Sequence, residues 1–149
     1  MAYTLEYVQR RGRRAAPEAD FQSQLVAVLR ERLIDAIVCH VPNGVNMPMP
    51  TAMKLRRMGL LSGVPDLCIM HGGGKTLWLE CKSGTGSVSP KQRDIIDTMR
   101  AMGHRVEVVR TIAEALTFSG EAGIAIKDID KAGASALWRA EIAKVRRRS

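Results

Sequence analysis

Apolar positions along the chain change their period several times, and each change marks an element. Phe21, Leu25, Val28 and Leu29 recur at helical spacing between Pro17 and about Leu33. Pro17 suits the first turn of that helix, where its missing N–H would have no partner in any case. Ala36 to Val41 is a short β-rich run stopped by Pro42-Asn43-Gly44, and the Pro48 and Pro50 pair predicts an extended loop after it. A short helix follows, from about Thr51 to Met58, ending at Gly59. Two strand-like runs, Asp66 to Met70 and Thr76 to Lys82, flank His71-Gly72-Gly73-Gly74-Lys75, which is a hairpin signal. Ser89-Pro90-Lys91-Gln92 then reads as a capping box that opens a helix running to about Met102. Gly103 stops it, Arg105 to Val109 forms another strand, and Thr111 to Phe118 a last short helix. The predicted order is α-β-α-β-β-α-β-α, an α/β domain with a central mixed β-sheet flanked by helices.

At 149 residues the chain holds one domain, and with 46% hydrophobic but only 4% aromatic residues its core is aliphatic. No apolar run approaches the ~18 residues of a membrane span, and the first residues lack the apolar stretch of a signal peptide, so the expectation is a soluble, cytoplasmic protein without membrane contact. Cys39, Cys68 and Cys81 are odd in number and form no CxxC pair, which indicates buried free thiols and neither a disulfide frame nor a zinc site.

Charge changes the picture. The net charge is +8, and its distribution is uneven. Residues 1–16 carry Arg10, Arg11, Arg13 and Arg14 against Glu6 (+3), while residues 139–149 carry five basic residues, Arg146, Arg147 and Arg148 among them, against Glu141 (+4). The ends read either as tails gripping a phosphate backbone or as solubilising tails. Residues 1–16 thus form a basic N-terminal tail, 17–118 the domain, and 119–149 a partly helical extension with a basic end.

The chemistry concentrates in the hairpin. Centring its turn on Gly73 sets Asp66 opposite Glu80, Leu67 opposite Leu79 and Ile69 opposite Leu77. Leu67, Ile69, Leu77, Leu79 and Cys81 then share one apolar face, and Asp66, Glu80 and Lys82 share the other. Opposed Cβ atoms lie only ~4.5–5.5 Å apart, so two carboxylates placed there repel unless a cation or a proton lies between them. Their hard oxygens suit Mg²⁺ or Mn²⁺.

Gly63-Val64-Pro65-Asp66 followed by Glu80-Cys81-Lys82 resembles the signature of the PD-(D/E)XK nuclease superfamily, with its restriction-endonuclease-like core. With Glu18-Ala19-Asp20-Phe21-Gln22 in the first helix, Met58-Gly59 before the first motif and Ser89-Pro90-Lys91-Gln92 after the hairpin, the chain is similar to the virus-type replication-repair nuclease (VRR-NUC) domain over roughly residues 17–118. The resemblance implies that Asp66 and Glu80 bind the metal with the backbone carbonyl of Cys81, and that Lys82 positions or polarises the attacking water. A Cys81 side chain facing the core leaves that carbonyl free at the strand edge. The resemblance also places Gln92 beside the active site. It implies a DNA endonuclease with branched substrates such as four-way junctions, a role in DNA repair, and a homodimer.

Several residues carry two readings. Glu18 shares a helical face with Gln22, Leu25 and Leu29, and is either a third acidic contact, often water-mediated, or a first-turn carboxylate complementing the helix dipole. Gln92 belongs either to the capping box or to the active site, since one side chain is not expected to serve both. Lys54, Arg56 and Arg57 either contact phosphate or form a solvated helix face, and Trp78 either stacks on a base or covers a helix. His40 and Asn43 precede a loop that could line the cleft, but a lone His at a strand end is more often structural, and both are left outside the catalytic set. Gly74-Lys75-Thr76 imitates a phosphate-binding loop but lacks its first glycine, position 69 being Ile, and Gly84-Thr85-Gly86 lacks the third glycine of a dinucleotide fingerprint, so no nucleotide cofactor is expected. Two rival functions remain: a restriction-like or nicking nuclease on duplex DNA, and a DNA-binding or scaffold protein without turnover.

Overall fold

The computed structural model of the chain describes residues 17–43 and 47–128. The elements are α1 (Pro17–Arg32), β1 (Ile37–His40), α2 (Met49–Arg57), β2 (Leu67–His71), β3 (Lys75–Cys81), α3 (Pro90–Ala101), β4 (Arg105–Val109) and α4 (Ile112–Glu121), in the predicted order. They build a four-stranded sheet in the order β1-β2-β3-β4. β1 and β3 each pair antiparallel with β2, whereas β4 lies parallel to β3, α3 making the crossover. The hairpin register is Leu67↔Leu79 and Ile69↔Leu77, as side-chain alternation predicts, with Gly73 at φ +76° in its turn.

Two apolar clusters sandwich the sheet. On one face Leu25, Val28 and Leu29 of α1 and Ile112 and Ala115 of α4 pack on Leu67, Ile69, Leu77, Leu79 and Cys81. On the other, Ile96 and Met99 of α3 pack on Val106, with Trp78 partly buried against them. Of its two readings Trp78 therefore takes the helix-covering one. The capping box of α3 is present: the Ser89 hydroxyl accepts the Gln92 N–H at 3.2 Å and Gln92 Oε1 accepts the Ser89 N–H at 2.9 Å. Thr111 and Glu114 form a second one at α4.

Three boundaries differ from expectation. The extended stretch predicted from Pro48 and Pro50 ends at Pro48 (φ −55°, ψ 141°), and α2 starts at Met49 with Pro50 in its first turn, where a missing N–H removes no helical bond. β2 starts at Leu67, so Asp66 stands just before the strand. The packed fold also passes residue 118. α4 runs to Glu121, Ile124 is buried in the first cluster, and Leu33 and Ile126 form an antiparallel bridge. Ile34 N–H donates to Ala125 O at 2.9 Å and Lys127 N–H to Arg32 O at 2.8 Å, clasping this stretch to the end of α1. Arg10, Arg11, Arg13, Arg14, Arg146, Arg147 and Arg148 lie outside the described residues. Among the described residues no helix is long and apolar enough to cross a membrane.

Candidate active site

Local backbone chemistry brings Asp66 into place. Gly63 has φ +97°, and a Cβ there would stand 3.0 Å from the Lys91 carbonyl oxygen, so glycine lets the chain leading to Asp66 run against the start of α3. The regular β2–β3 ladder ends at Leu67↔Leu79, and the Asp66 side chain supplies the next rung: its Oδ2 accepts the Cys81 N–H at 2.8 Å. Its Oδ1 accepts from Asn43 Nδ2 at 2.9 Å. Burial raises the Asp66 pKa above the usual value, and the Cys81 N–H and the Lys82 charge oppose that rise.

Glu80 is completely buried. Its Oε1 accepts from Lys82 Nζ at 2.8 Å and from Gln92 Nε2 at 2.6 Å, while Oε2 has no hydrogen-bond partner among the described residues. Burial pushes its pKa up to about 7, with the Lys82 hydrogen bond pulling the other way and the neighbouring Asp66 charge adding to the rise. Lys82 Nζ also donates to Glu18 Oε1 at 2.8 Å, so one ammonium bridges two carboxylates. Burial works against that ammonium, but its bonds to Glu18 and Glu80 prevail and hold its pKa above the ordinary value.

The first turn of α1 thus delivers Glu18 to the end of β3, where one oxygen each of Glu18, Asp66 and Glu80 lie within 4.8 Å of one another. With all four groups ionised, three carboxylates and one ammonium leave a formal charge of −2. A divalent cation matches that charge, the oxygens are of the hard type it prefers, and the enclosed, unpartnered Glu80 Oε2 is an acceptor that a cation would satisfy.

Gln92 corrects an expectation. Its side chain serves both the cap and the site, because an amide has an acceptor end and a donor end: Oε1 takes the Ser89 N–H and Nε2 reaches Glu80. Cys81 turns its thiol into the apolar cluster, and burial there pushes the thiol pKa far up. Its carbonyl stands at the end of β3, an interior strand between β2 and β4. Lys54, Arg56 and Arg57 are exposed on α2, outside the carboxylate cluster and in no ion pair among the described residues.

Asn43, which stands in sequence before a cleft-lining loop and outside the catalytic set expected there, is a hydrogen-bond partner of Asp66. His40 also comes close, its Nδ1 standing 3.0 Å from the Asp66 backbone oxygen and 2.7 Å from Gln22 Nε2.

The sequence profile of the VRR-NUC domain matches residues 45–112. Glu18 and Asn43 precede that stretch. No curated protein matches the chain. Among solved structures, one described as a "VRR_NUC domain protein" superposes with a TM-score of 0.55 at 21% identity, covering 73% of this chain and 89% of that one, and so shares its fold. The chain is thus similar to the VRR-NUC domain over residues 45–112, and a domain of this family implies a metal-dependent nuclease.

Proposed function

We propose that the chain is a DNA endonuclease that hydrolyses phosphodiester bonds with Mg²⁺ or Mn²⁺, acting on branched DNA such as four-way junctions. The observation that carries this reading is the buried Glu80, with one oxygen unpartnered, clustered with Asp66 and Glu18 and tied to Lys82. Glu18, Asp66, Glu80 and the Cys81 carbonyl would hold the cation. When bound, it would acidify water and neutralise charge developing on the phosphate.

The remaining work falls to the chain's own groups. The Cys81 N–H orients the Asp66 carboxylate, and Gln92 holds Glu80 from the side of α3. Lys82, paired with two carboxylates and with its pKa raised, keeps its proton. It therefore acts as a hydrogen-bond donor to the attacking water or to a phosphate oxygen, and not as a base. Lys54, Arg56 and Arg57, with the basic ends of the chain, supply phosphate contacts that hold DNA without reading its sequence. One such site cuts one strand, so paired cuts across a junction use two copies, and a homodimer belongs to this reading.

The test is cleavage of end-labelled four-way junction, flap, single-stranded and plain duplex DNA in Mg²⁺ or Mn²⁺, beside Asp66→Ala and Lys82→Ala proteins. Junction-selective cutting lost in both variants is the expected result. Preferential duplex cutting would move the assignment to a restriction-like nuclease, and metal-independent binding without any cutting to a scaffold.

A further inference from the structure

The chain leaving β1 runs beside the chain arriving at Asp66. The β1–β2 register ends at His40↔Leu67, and Val41 N–H adds one more rung by donating to the Asp66 carbonyl at 2.8 Å. Two residues on, Asn43 Nδ2 donates to Asp66 Oδ1, while Oδ2 takes the Cys81 N–H. The Asp66 carboxylate is therefore held from both sides, by a side chain that follows β1 and by the backbone of β3.

The other end of the Asn43 amide is the informative one. Its Oδ1 is enclosed and has no hydrogen-bond partner among the described residues. Reversing the amide would set that oxygen against Asp66 Oδ1, two acceptors face to face, so the orientation is fixed by its neighbour. The two ends of a planar amide stand a short, fixed distance apart, which keeps this oxygen close to the Asp66 carboxylate. Native proteins rarely leave an enclosed acceptor unpaired. Here Asn43 Oδ1 and Glu80 Oε2, both in the hydrogen-bonded surroundings of one anionic cluster, share that condition. Neither a lysine nor a backbone N–H fills both. A hydrated cation brings what both oxygens lack, since it carries positive charge together with O–H donors.

We infer that Asn43 is a positioning residue for the cation site, locking the Asp66 carboxylate through Nδ2 and accepting through Oδ1 an O–H from the hydration shell of the cation. The inference rests on the metal-dependent reading above and goes beyond it, since it assigns a role to a side chain that precedes the matched stretch. Groups that orient metal ligands affect affinity by roughly 10-fold to 100-fold when removed.

The experiment is titration calorimetry of the full chain with Mn²⁺ alone, with cation-free thermal melting of the same proteins. Wild type binds and Glu80→Ala does not. Asn43→Ala is expected to bind roughly 10-fold or more weakly while its cation-free melting stays near that of wild type. Asn43→Asp keeps the shape but sets a carboxylate against Asp66. It is expected to melt lower without the cation and to gain more from Mn²⁺ than wild type does. Wild-type affinity in Asn43→Ala, or an equal Mn²⁺-induced rise in Asn43→Asp and wild type, overturns the inference while leaving the metal site standing. A wild-type protein that shows no Mn²⁺ binding overturns the metal reading itself, and the role of Asn43 with it.

Discussion

Gln92 links the start of α3 to Glu80: its Nε2 lies 2.6 Å from Glu80 Oε1 while its Oε1 accepts the Ser89 N–H. The same side chain that closes the helix cap thus orients the most deeply buried carboxylate of the site. The two tasks separate by mutation. Ser89→Ala removes only the cap hydroxyl and is expected to lower stability by about 1 kcal/mol with Mn²⁺ affinity unchanged. Gln92→Ala removes both contacts, and is expected to lower stability and weaken Mn²⁺ binding together. Chemical denaturation and calorimetry on the two variants check this, and equal Mn²⁺ affinity in both would sever the link between the cap and the site.

The pH dependence follows from Glu80. Its pKa is about 7 in the folded chain against an ordinary value of 4.5, so between these two the folded state binds the extra proton. Its contribution to stability is therefore fully present below pH 4.5 and is lost as pH rises through about 7. Metal binding has the opposite slope, because a cation competes with that proton. Mn²⁺ affinity is expected to climb between about pH 6 and 8 with proton release, read as a binding enthalpy that varies with the ionisation enthalpy of the buffer. Glu80→Gln should flatten the stability profile of the cation-free protein over the same range.

Lys82 sits between Glu18 and Glu80 at 2.8 Å from each, and its side chain is 9% exposed. Replacing it with methionine leaves two carboxylates without their counter-charge, and loss of one partner from a buried pair costs about 3–5 kcal/mol. Lys82→Met is expected to melt well below wild type, to recover much of that loss in Mn²⁺, and to cleave nothing. Recovery by Mn²⁺ without cleavage separates holding the cation from activating water. A variant that cuts DNA at the wild-type rate would remove Lys82 from the chemistry.

The basic face of α2 makes a different kind of prediction. Only Ala52 of this helix is buried, so changing Lys54, Arg56 and Arg57 together to alanine should leave the melting temperature unchanged. If these side chains reach phosphate, DNA affinity falls alike for all sequences, and the slope of log affinity against log salt shrinks by about one for each phosphate no longer neutralised. Filter binding across a salt series reads both. An unchanged slope would return α2 to a solvated face.

Much of this arrangement is legible in the chain because alternation is unforgiving. Once the glycines after His71 fix the turn, Leu67, Ile69, Leu77 and Leu79 admit one register, and Asp66 and Glu80 fall on the other face. Ser89-Pro90-Lys91-Gln92 is equally local, since a cap is made within four residues. What sequence does not disclose depends on tertiary approach. Asn43 meets Asp66 across 23 positions, and only the pairing of β1 with β2 joins them. The clasp of Ala125 and Lys127 onto the end of α1 has no periodic signature, because backbone groups make it and side chains do not. The double duty of Gln92 escapes any reading that allows an amide a single hydrogen-bonding end.

Gly63 provides a test of how the first motif is positioned, with Gly59 as its control. Both have positive φ, +97° and +103°, so alanine at either meets similar backbone strain, ~1 kcal/mol or more. They differ in surroundings. A Cβ at Gly59 meets nothing within 4 Å, whereas one at Gly63 would stand 3.0 Å from the Lys91 carbonyl oxygen and 3.3 Å from Ile95 Cγ1. The backbone oxygen belongs to the first turn of α3, the same turn that carries Gln92, and a helix cannot yield there as a flexible side chain could. Gly63→Ala must therefore push Asp66 and α3 apart, which stretches the Gln92–Glu80 contact from one side and disturbs the Asp66–Cys81 rung from the other. Gly59→Ala is expected to lower stability without changing Mn²⁺ affinity. Gly63→Ala is expected to lower stability further and to weaken Mn²⁺ binding as well, and matching losses in the two variants would show that the close approach at Gly63 does not position the site.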